Sequence, residues 1–245
     1  MIYILLPCYN EYKNLLPLLK KINLININKD IKINILIVND GSTDETHKKL
    51  NFLKKVSKNK IIYLKHKINF GLNIALLNGF KKIISIGKKD DVIITLDSDN
   101  THPVNLIPKM NALIAFKNYD IVIASRFQKG SKVQGLSLFR TLLSIAAKIV
   151  FKFIINIKNV NDYTCNYRAY RFEILKKSKL VNKKFFFNKD FSIASDLLIN
   201  INKNINNINI CEVPLMLRYD KKIGPSKMNV GKNIIKTFFL IIKNF

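Results

Sequence analysis

Short apolar runs alternate with helical patterns along this chain, and this alternation constrains the fold more than any other feature. The runs cover residues 2–6, 33–38, 61–64, 92–96 and 121–124. Helical spacing is found over 12–27, 43–56, 71–86 and 103–116, and a last strand is predicted over 208–219. Ser42 and Glu45 form a potential capping box for the second helix. The order predicts one α/β domain spanning 1–245, with a mostly parallel sheet flanked by helices.

The cysteines and the start of the chain bear on its compartment. Cys8, Cys165 and Cys211 are odd in number and far apart, which favours free thiols in a reducing compartment. The apolar run at 1–6 has no basic region before it and ends at Pro7, unlike a signal peptide. We therefore expect a cytoplasmic protein.

The chain has a strong positive charge, formally +26, which suggests nucleic acid or an anionic membrane as a partner. The lysines are scattered without a basic tail or an aromatic-rich basic strip, so we expect no nucleic acid. Apolar stretches at 142–157 and 234–245 are each interrupted by two lysines. They predict either amphipathic helices at a membrane surface or core helices with one polar stripe.

Acidic residues follow three of the predicted strands. Asp97 and Asp99 end the fourth strand, whereas Glu11 and Asp40 follow the first two. The carboxyl ends of parallel strands form the ligand crevice of open α/β sheets, and carboxylates there suit a divalent ion and nucleotide hydroxyls. A solvated turn remains the alternative for Asp97-Ser98-Asp99 alone. His102, just beyond, is expected either to touch a diphosphate or to cap the turn.

Six motifs in order resemble one known family along nearly the whole chain. They are Pro7-x-Tyr9-Asn10-Glu11, Val38-x-Asp40-Gly41-Ser42-x-Asp44, Asn69-x-Gly71 to Gly79, Asp97-x-Asp99 with His102-Pro103, Ser125-Arg126, and Asp162-Tyr163-x-x-x-Tyr167-Arg168. This order resembles inverting family-two glycosyltransferases of GT-A fold, most of all the dolichyl-phosphate (polyprenyl-phosphate) mannosyltransferase branch. The resemblance implies a nucleotide-sugar-binding half at 1–125 and an acceptor and membrane-interface half at 126–245, with C-terminal amphipathic interface helices.

The resemblance also implies roles for individual residues. Nucleotide-sugar contacts would come from Pro7, Tyr9, Glu11, Val38, Asp40, Gly71, Asp97, Ser98 and Asp99. Asp97 and Asp99 would hold Mg²⁺ or Mn²⁺, with Thr101 as a third candidate ligand where the branch often has Gln. Donor and acceptor phosphates would be gathered by Arg126, Arg140, Ser144, Arg168 and Lys227. With Asp99, the four cationic residues of this group are the predicted catalytic residues. The branch's late acidic residue has no clean counterpart, and Asp196 is the nearest candidate.

The choice of arginine supports the cationic group independently. Lysine is used almost everywhere, and of the five arginines three fall on the implied phosphate positions. Planar bidentate binding of phosphate is a property of arginine. A polyprenyl phosphate acceptor is already an anion at pH 7, so its transfer needs no general base. We expect a hexose, preferably mannose from GDP-mannose with a UDP-sugar as the alternative, to be transferred with inversion.

The expected partners place the protein peripherally on the cytoplasmic face of a membrane, with a separate membrane-anchoring subunit as a further candidate partner. Three other functions stay open. A same-fold transferase acting on a hydroxyl would need a carboxylate base near Asp190 or Asp196. A haloacid-dehalogenase-like phosphatase would use Asp97 as nucleophile and Asp99 as acid. A non-enzymatic basic adaptor would bind in a salt-sensitive way without a metal.

Overall fold

A mixed β-sheet organises the computed structural model, which describes residues 1–178 and 193–224. The strands are β1 Ile2–Cys8, β2 Ile33–Asn39, β3 Lys60–Lys65, β4 Val92–Thr95, β5 Ile121–Ser125, β6 Lys132–Gln134, β7 Arg168–Arg171, β8 Ile210–Pro214 and β9 Met216–Arg218. The helices are α1 Tyr12–Ile22, α2 Leu50–Val56, α3 Leu72–Ile86, α4 Ile107–Lys117, α5 Leu138–Ile154, α6 Phe172–Lys177 and α7 Ile193–Asn204. Short 3₁₀ turns cover Val104–Leu106 and Tyr219–Lys221.

Seven strands form the main sheet in the order β3-β2-β1-β4-β7-β5-β8. The pairs β1–β2, β2–β3, β1–β4 and β5–β8 are parallel, whereas β7 runs antiparallel between β4 and β5. Strands β6 and β9 form a small parallel sheet of their own. The predicted mostly parallel sheet with helices on both faces is confirmed.

The core lies on both faces of this sheet. One face packs against α3, α6, α7 and Phe151 of α5, and the other packs against α1 and α4. Each of the seven residues of β1 is buried, as expected for a strand covered on both sides. This double coverage explains why β1, β2 and β4 are continuous apolar runs in the sequence.

Several predicted elements differ in the structure. The second helix begins at Leu50 instead of residue 43, and the capping box is wrong because the Ser42 hydroxyl accepts the Asn10 N–H instead. The first helix ends at Ile22, and a 3₁₀ turn precedes α4. The last predicted strand is two strands, β8 and β9, in different sheets. Strands β6 and β7 were not predicted.

The two predicted amphipathic stretches have different outcomes. The first corresponds to α5, which has Phe151 as its one buried residue and leaves many apolar side chains exposed. The second, at 234–245, lies outside the described residues. Among the helices of the described part, none has the length and apolar character needed to cross a membrane.

Candidate active site

The sheet register gathers the predicted acids at one edge. Cys8 at the end of β1 pairs with Asn39 of β2, and Leu5 pairs with Thr95 of β4. The segments that follow these three strands therefore leave the sheet side by side. The Ser98 hydroxyl donates to the Pro7 carbonyl at 2.7 Å, which ties the turn after β4 to the end of β1.

The turns after β1 and β2 are joined by side-chain hydrogen bonds. Asn10 has a left-handed backbone with φ 53°, and its side-chain oxygen accepts the N–H groups of Thr43 and Asp44. Asp44 in turn accepts the Tyr12 N–H at 3.1 Å, at the first residue of α1. A carboxylate at this position offsets the partial positive charge of the helix N-terminus. These bonds fix the position of Tyr9 and Glu11.

Asp40 organises the loop that leads into α3. Its carboxylate accepts from His66 Nδ1 at 2.6 Å and from the N–H groups of Phe70 and Gly71 at 3.0 and 2.8 Å. Gly41 is required beside it, since its φ is +67° and an added Cβ would lie 2.3 Å from the backbone carbon of Ile68. Three bonds leave room for one further donor on the carboxylate.

The remaining predicted nucleotide-sugar residues have varied surroundings. Glu11 is 9% exposed and accepts from Asn14 Nδ2 at 2.6 Å, and Tyr9 is half-buried beside it. Val38 is fully buried in the core, so its side chain is withdrawn from any ligand in the crevice. Gly71 is the residue before α3 and bonds Asp40.

The Asp97 and Asp99 carboxylates lie in different electrostatic surroundings. Asp99 accepts from the Thr101 hydroxyl at 2.7 Å through Oδ1, and its Oδ2 lies 2.7 Å from Lys222 Nζ. Burial works to raise the pKa of Asp99, but the Lys222 ammonium prevails and the pKa is lowered. Burial also raises the pKa of Asp97, and the neighbouring Asp99 carboxylate adds to this rise. A cation bound between the two carboxylates would offset the repulsion between them.

Residues near this pair hold it in place. The Nδ1 atom of His102 accepts the Asp97 N–H at 3.1 Å, and its ring stacks on Tyr167 at 5.1 Å. His102 thus caps the turn, the second of its two expected roles. Thr101 is 2% exposed and donates to Asp99, which makes it a positioning residue for the carboxylate more readily than an ion ligand.

Arg126 is held by a buried carboxylate. Its Nε and Nη2 donate to the two oxygens of Asp162 at 2.8 and 2.7 Å, and Nη2 also donates to Thr164. Its Nη1 donates to the Ser144 hydroxyl of α5 at 3.2 Å. Burial works to raise the pKa of Asp162, but Arg126 outweighs burial and the pKa is lowered. One guanidinium N–H remains for a ligand.

A second arginine, Arg140 of α5, acts on the same tyrosine as the acidic pair. Burial raises the pKa of Tyr219, as do Asp97 and Asp99, whereas Lys222 and Arg140 oppose the rise. Arg140 and the acidic pair therefore all lie close enough to Tyr219 for their charges to act on its pKa. Arg140 and Ser144 are four residues apart on one helix, so they share a face.

Arg168 occupies an internal position that differs from the expectation. It is fully buried, and its guanidinium donates to the carbonyls of Ala194, Asp162 and Tyr163. These bonds join β7 to α7 and to the loop that carries Asp162. We therefore assign Arg168 to positioning and do not keep it among the proposed phosphate ligands. Lys227 and Asp190 lie outside the described residues, and Asp196 is in the first turn of α7.

Four contacts of the site were missed in the sequence. Lys222 and Tyr219 approach the acidic pair, Asn166 donates to Asp97 at 3.3 Å, and Asn14 bonds Glu11. Lysine and asparagine are so frequent in this chain that neither type stands out. In the described ranges, 1–178 and 193–224, no group of three His, Cys, Asp or Glu residues is arranged to hold a metal.

Comparison with known proteins identifies the family. The family model described as glycosyl transferase family 2 matches residues 3–179, well over half of the chain. The chain belongs to glycosyl transferase family 2. This confirms the predicted family.

Three curated relatives carry names that include a dolichol, dolichyl or polyprenol phosphate. Dolichol-phosphate mannosyltransferase of Pyrococcus furiosus is 32% identical over 72% of this chain, and the match covers about half, 48%, of that relative. Polyprenol monophosphomannose synthase of Mycolicibacterium smegmatis is 28% identical over 97% of this chain and 84% of the relative. UDP-N-acetylglucosamine–dolichyl-phosphate N-acetylglucosaminyltransferase of Methanococcus voltae is 30% identical over 89% and 86%.

A solved structure confirms the GT-A fold. Glucosyl-3-phosphoglycerate synthase of Mycobacterium tuberculosis, in complex with Mg²⁺ and UDP, superposes with a TM-score of 0.66 over 98% of this chain and 79% of that chain. Its sequence identity is 16%, so the likeness concerns the fold alone.

The Arg126–Asp162 pair predicts a pH-dependent stability. In Asp162→Asn, Arg126 keeps a buried position without its counter-charge, and we expect a loss of about 3 kcal/mol of unfolding free energy at pH 7. Because the folded pKa of Asp162 is lowered, its contribution is present above the unfolded value, about 3.9, and is lost as the pH falls through the folded pKa.

Urea unfolding of wild type and variant across this pH range measures the effect. The difference between the two proteins should shrink below about pH 4. Asp220→Asn is the control, because Asp220 pairs with Arg218 at the surface and should matter little. A constant difference at all pH values would contradict the assignment of Asp162.

Proposed function

We propose that this family 2 enzyme transfers a hexose from a nucleotide-diphospho-sugar to polyprenyl phosphate with inversion. The observation that carries this proposal is the pairing of two opposed groups at one edge of the sheet. Asp97 and Asp99 form an acidic pair, and Arg126, bonded to Ser144 of α5, would bind phosphate together with Ser144 and Arg140. An anionic donor with a cation, and an anionic acceptor, match this arrangement.

The donor side follows from the carboxyl ends of β1, β2 and β4. Residues 1–125 would hold the nucleotide sugar, with Tyr9, Glu11 and Asp40 near the nucleoside. Asp97 and Asp99 fit Mg²⁺ or Mn²⁺, since such ions take one or two carboxylates and complete their coordination with substrate phosphates and water. When bound, the ion would stabilise negative charge on the leaving diphosphate.

GDP-mannose is the donor that we propose first. Two relatives are named for mannose transfer, and this supports GDP-mannose as the donor. The Methanococcus relative is named for a UDP-N-acetylglucosamine donor, so a UDP-sugar is the second candidate. A few pocket contacts separate these donors, and each is worth only a few kcal/mol.

The acceptor side would lie in residues 126–245. A lipid phosphate is anionic before reaction, so the protein has to overcome repulsion between acceptor and donor instead of removing a proton. Arg126 keeps one guanidinium N–H for a phosphate oxygen, and Asp162 fixes its plane. In-line attack of the acceptor oxygen on the anomeric carbon would invert that centre and release the nucleoside diphosphate.

The outer face of α5 supports a membrane surface as the partner that delivers the acceptor. Leu138, Leu142, Ile149 and Phe153 repeat at helical spacing and are 84%, 66%, 60% and 88% exposed. Large exposed apolar patches mark interaction sites, and Lys148 and Lys152 of the same helix would suit an anionic bilayer. We propose peripheral association with the cytoplasmic face of a membrane. A separate membrane-anchoring subunit remains a further proposal.

A donor and acceptor panel tests the function. Purified protein is incubated with Mn²⁺, polyprenyl phosphate and radiolabelled GDP-mannose, UDP-glucose or UDP-N-acetylglucosamine, and organic-extractable label is counted. We expect label from GDP-mannose above all, and its loss in Asp97→Asn and Asp99→Asn. Label that requires a hydroxyl acceptor, or phosphate release from an aryl phosphate without a nucleotide sugar, would contradict the proposal.

Arg140→Ala tests the acceptor group. Loss of a charge-assisted phosphate contact should lower transfer to polyprenyl phosphate in detergent by about 100-fold, while nucleotide affinity changes less than about twofold. Lys152→Ala is the control, because Lys152 is a cation of the same helix whose ammonium bonds Asn161. Equal losses of transfer and nucleotide binding would remove the acceptor assignment.

Vesicle binding tests the outer face of α5. Leu142→Ser with Phe153→Ser should weaken binding to anionic vesicles by at least about tenfold, since each buried apolar side chain contributes roughly 1.5–3 kcal/mol. Phe116→Ser is the matched control, because Phe116 is 73% exposed on α4 at the opposite face of the sheet. Cosedimentation measures both, and an equal effect of the control would contradict the assignment.

A further inference from the structure

Lys222 lies directly on the acidic pair of the site. Its Nζ is 2.7 Å from Asp99 Oδ2, and both side chains are largely buried, at 13% and 10% exposure. The Lys222 charge also acts to lower the pKa of Asp97, and Glu11 and Tyr219 act with Asp99 to raise the pKa of Lys222. A lysine in such a position differs from the many solvated lysines of this chain.

The backbone around Lys222 is fixed at both ends. The Arg218 N–H donates to the Thr101 carbonyl at 3.0 Å, just beyond the acidic pair. Ile223 exchanges two hydrogen bonds with the Asn14 side chain of α1, at 3.1 and 3.0 Å. This segment therefore spans the crevice from the turn after β4 to α1, and it aims the Lys222 side chain inward.

The oxygen that Lys222 holds is the one a metal would need. Asp99 Oδ1 accepts both the N–H and the hydroxyl of Thr101, so its two lone pairs are already used. Oδ2 is the atom left for an ion. A divalent cation on Oδ2 would stand within a few ångströms of the ammonium, and like charges at that separation repel strongly.

We propose that Lys222 is a counter-cation that competes with the divalent ion for Asp99 and thereby couples ion binding to binding of the nucleotide diphosphate. The inference rests on the proposed function, in which Asp97 and Asp99 hold the ion. Without nucleotide, Lys222 neutralises Asp99 and weakens ion binding. With nucleotide, a diphosphate oxygen offers the ammonium another anionic partner, so Lys222 leaves Asp99 to the ion. The coupling is reciprocal, because each of the two ligands tightens the other.

Mn²⁺ binding without nucleotide, followed by electron paramagnetic resonance of the free ion, tests this directly. Lys222→Gln should bind Mn²⁺ at least about tenfold more tightly than wild type, because a charged hydrogen-bonding competitor is gone. Lys221→Gln is the matched control, since it removes the same charge from the next, exposed residue. We expect this control to tighten binding by less than about threefold, the effect of a more distant screened charge.

Adding GDP or UDP provides the second measurement. In wild type the nucleoside diphosphate should tighten Mn²⁺ binding strongly, and in Lys222→Gln the gain should be at least about fivefold smaller. Thermal unfolding without Mn²⁺ reports on the unpaired Asp99: Lys222→Gln should melt lower than wild type, and Mn²⁺ should restore much of the difference.

The possible failures are distinct. Equal Mn²⁺ affinity of wild type and Lys222→Gln, or equal tightening by Lys221→Gln, would overturn the role of Lys222 and leave the metal site intact. No Mn²⁺ binding by any of the three proteins, even with GDP or UDP present, would overturn the metal site itself and this inference with it.

Discussion

The candidate site depends on the pairing of β1 with β2 on one side and β4 on the other. The register is parallel throughout, and it brings the segments after three strands to one edge. Further bonds extend the pairing beyond the strands, from the Asp40 N–H to the Cys8 carbonyl and from Ser98 to Pro7. A slip by one residue would move every side chain of a strand to the opposite face of the sheet, where it would meet packing partners of the wrong size and shape. The buried core therefore enforces the positions of the acids.

Acids at this edge differ in how firmly their oxygens are engaged. Asp40 is tied to His66 and to two backbone N–H groups, all of which belong to the loop it shapes. Asp162 is tied in the same way to Arg126. Asp99 differs, because one of its oxygens is held by a lysine side chain that has rotatable bonds and can be replaced by another cation. The cation that can be exchanged for another thus lies on Asp99, where the proposed reaction needs a metal ion.

The sequence predicts those parts of the fold and site whose residues are set by local rules. β1 is recognisable because a strand covered on both faces is continuously apolar, and Arg126 is recognisable because arginine is rare here. β7 was missed because it is four residues long, with an arginine at each end, and pairs with two distant strands. The rarity of arginine also suggests phosphate binding at Arg168, which is buried in the structure. A guanidinium hydrogen-bonds buried carbonyls as well as phosphates.

Helix α5 links the chemistry to the surface that is proposed to supply the acceptor. Arg140, Ser144 and Phe151 lie on one face, where Phe151 stacks on Tyr163 and Ser144 bonds Arg126. Leu142 and Phe153 lie on the opposite, exposed face. A helix with its side chains is only about 10 Å across. A lipid whose chain rests against the outer face could therefore present its phosphate to the inner face without leaving the membrane surface. An acceptor with an apolar tail and an anionic reacting group requires this geometry.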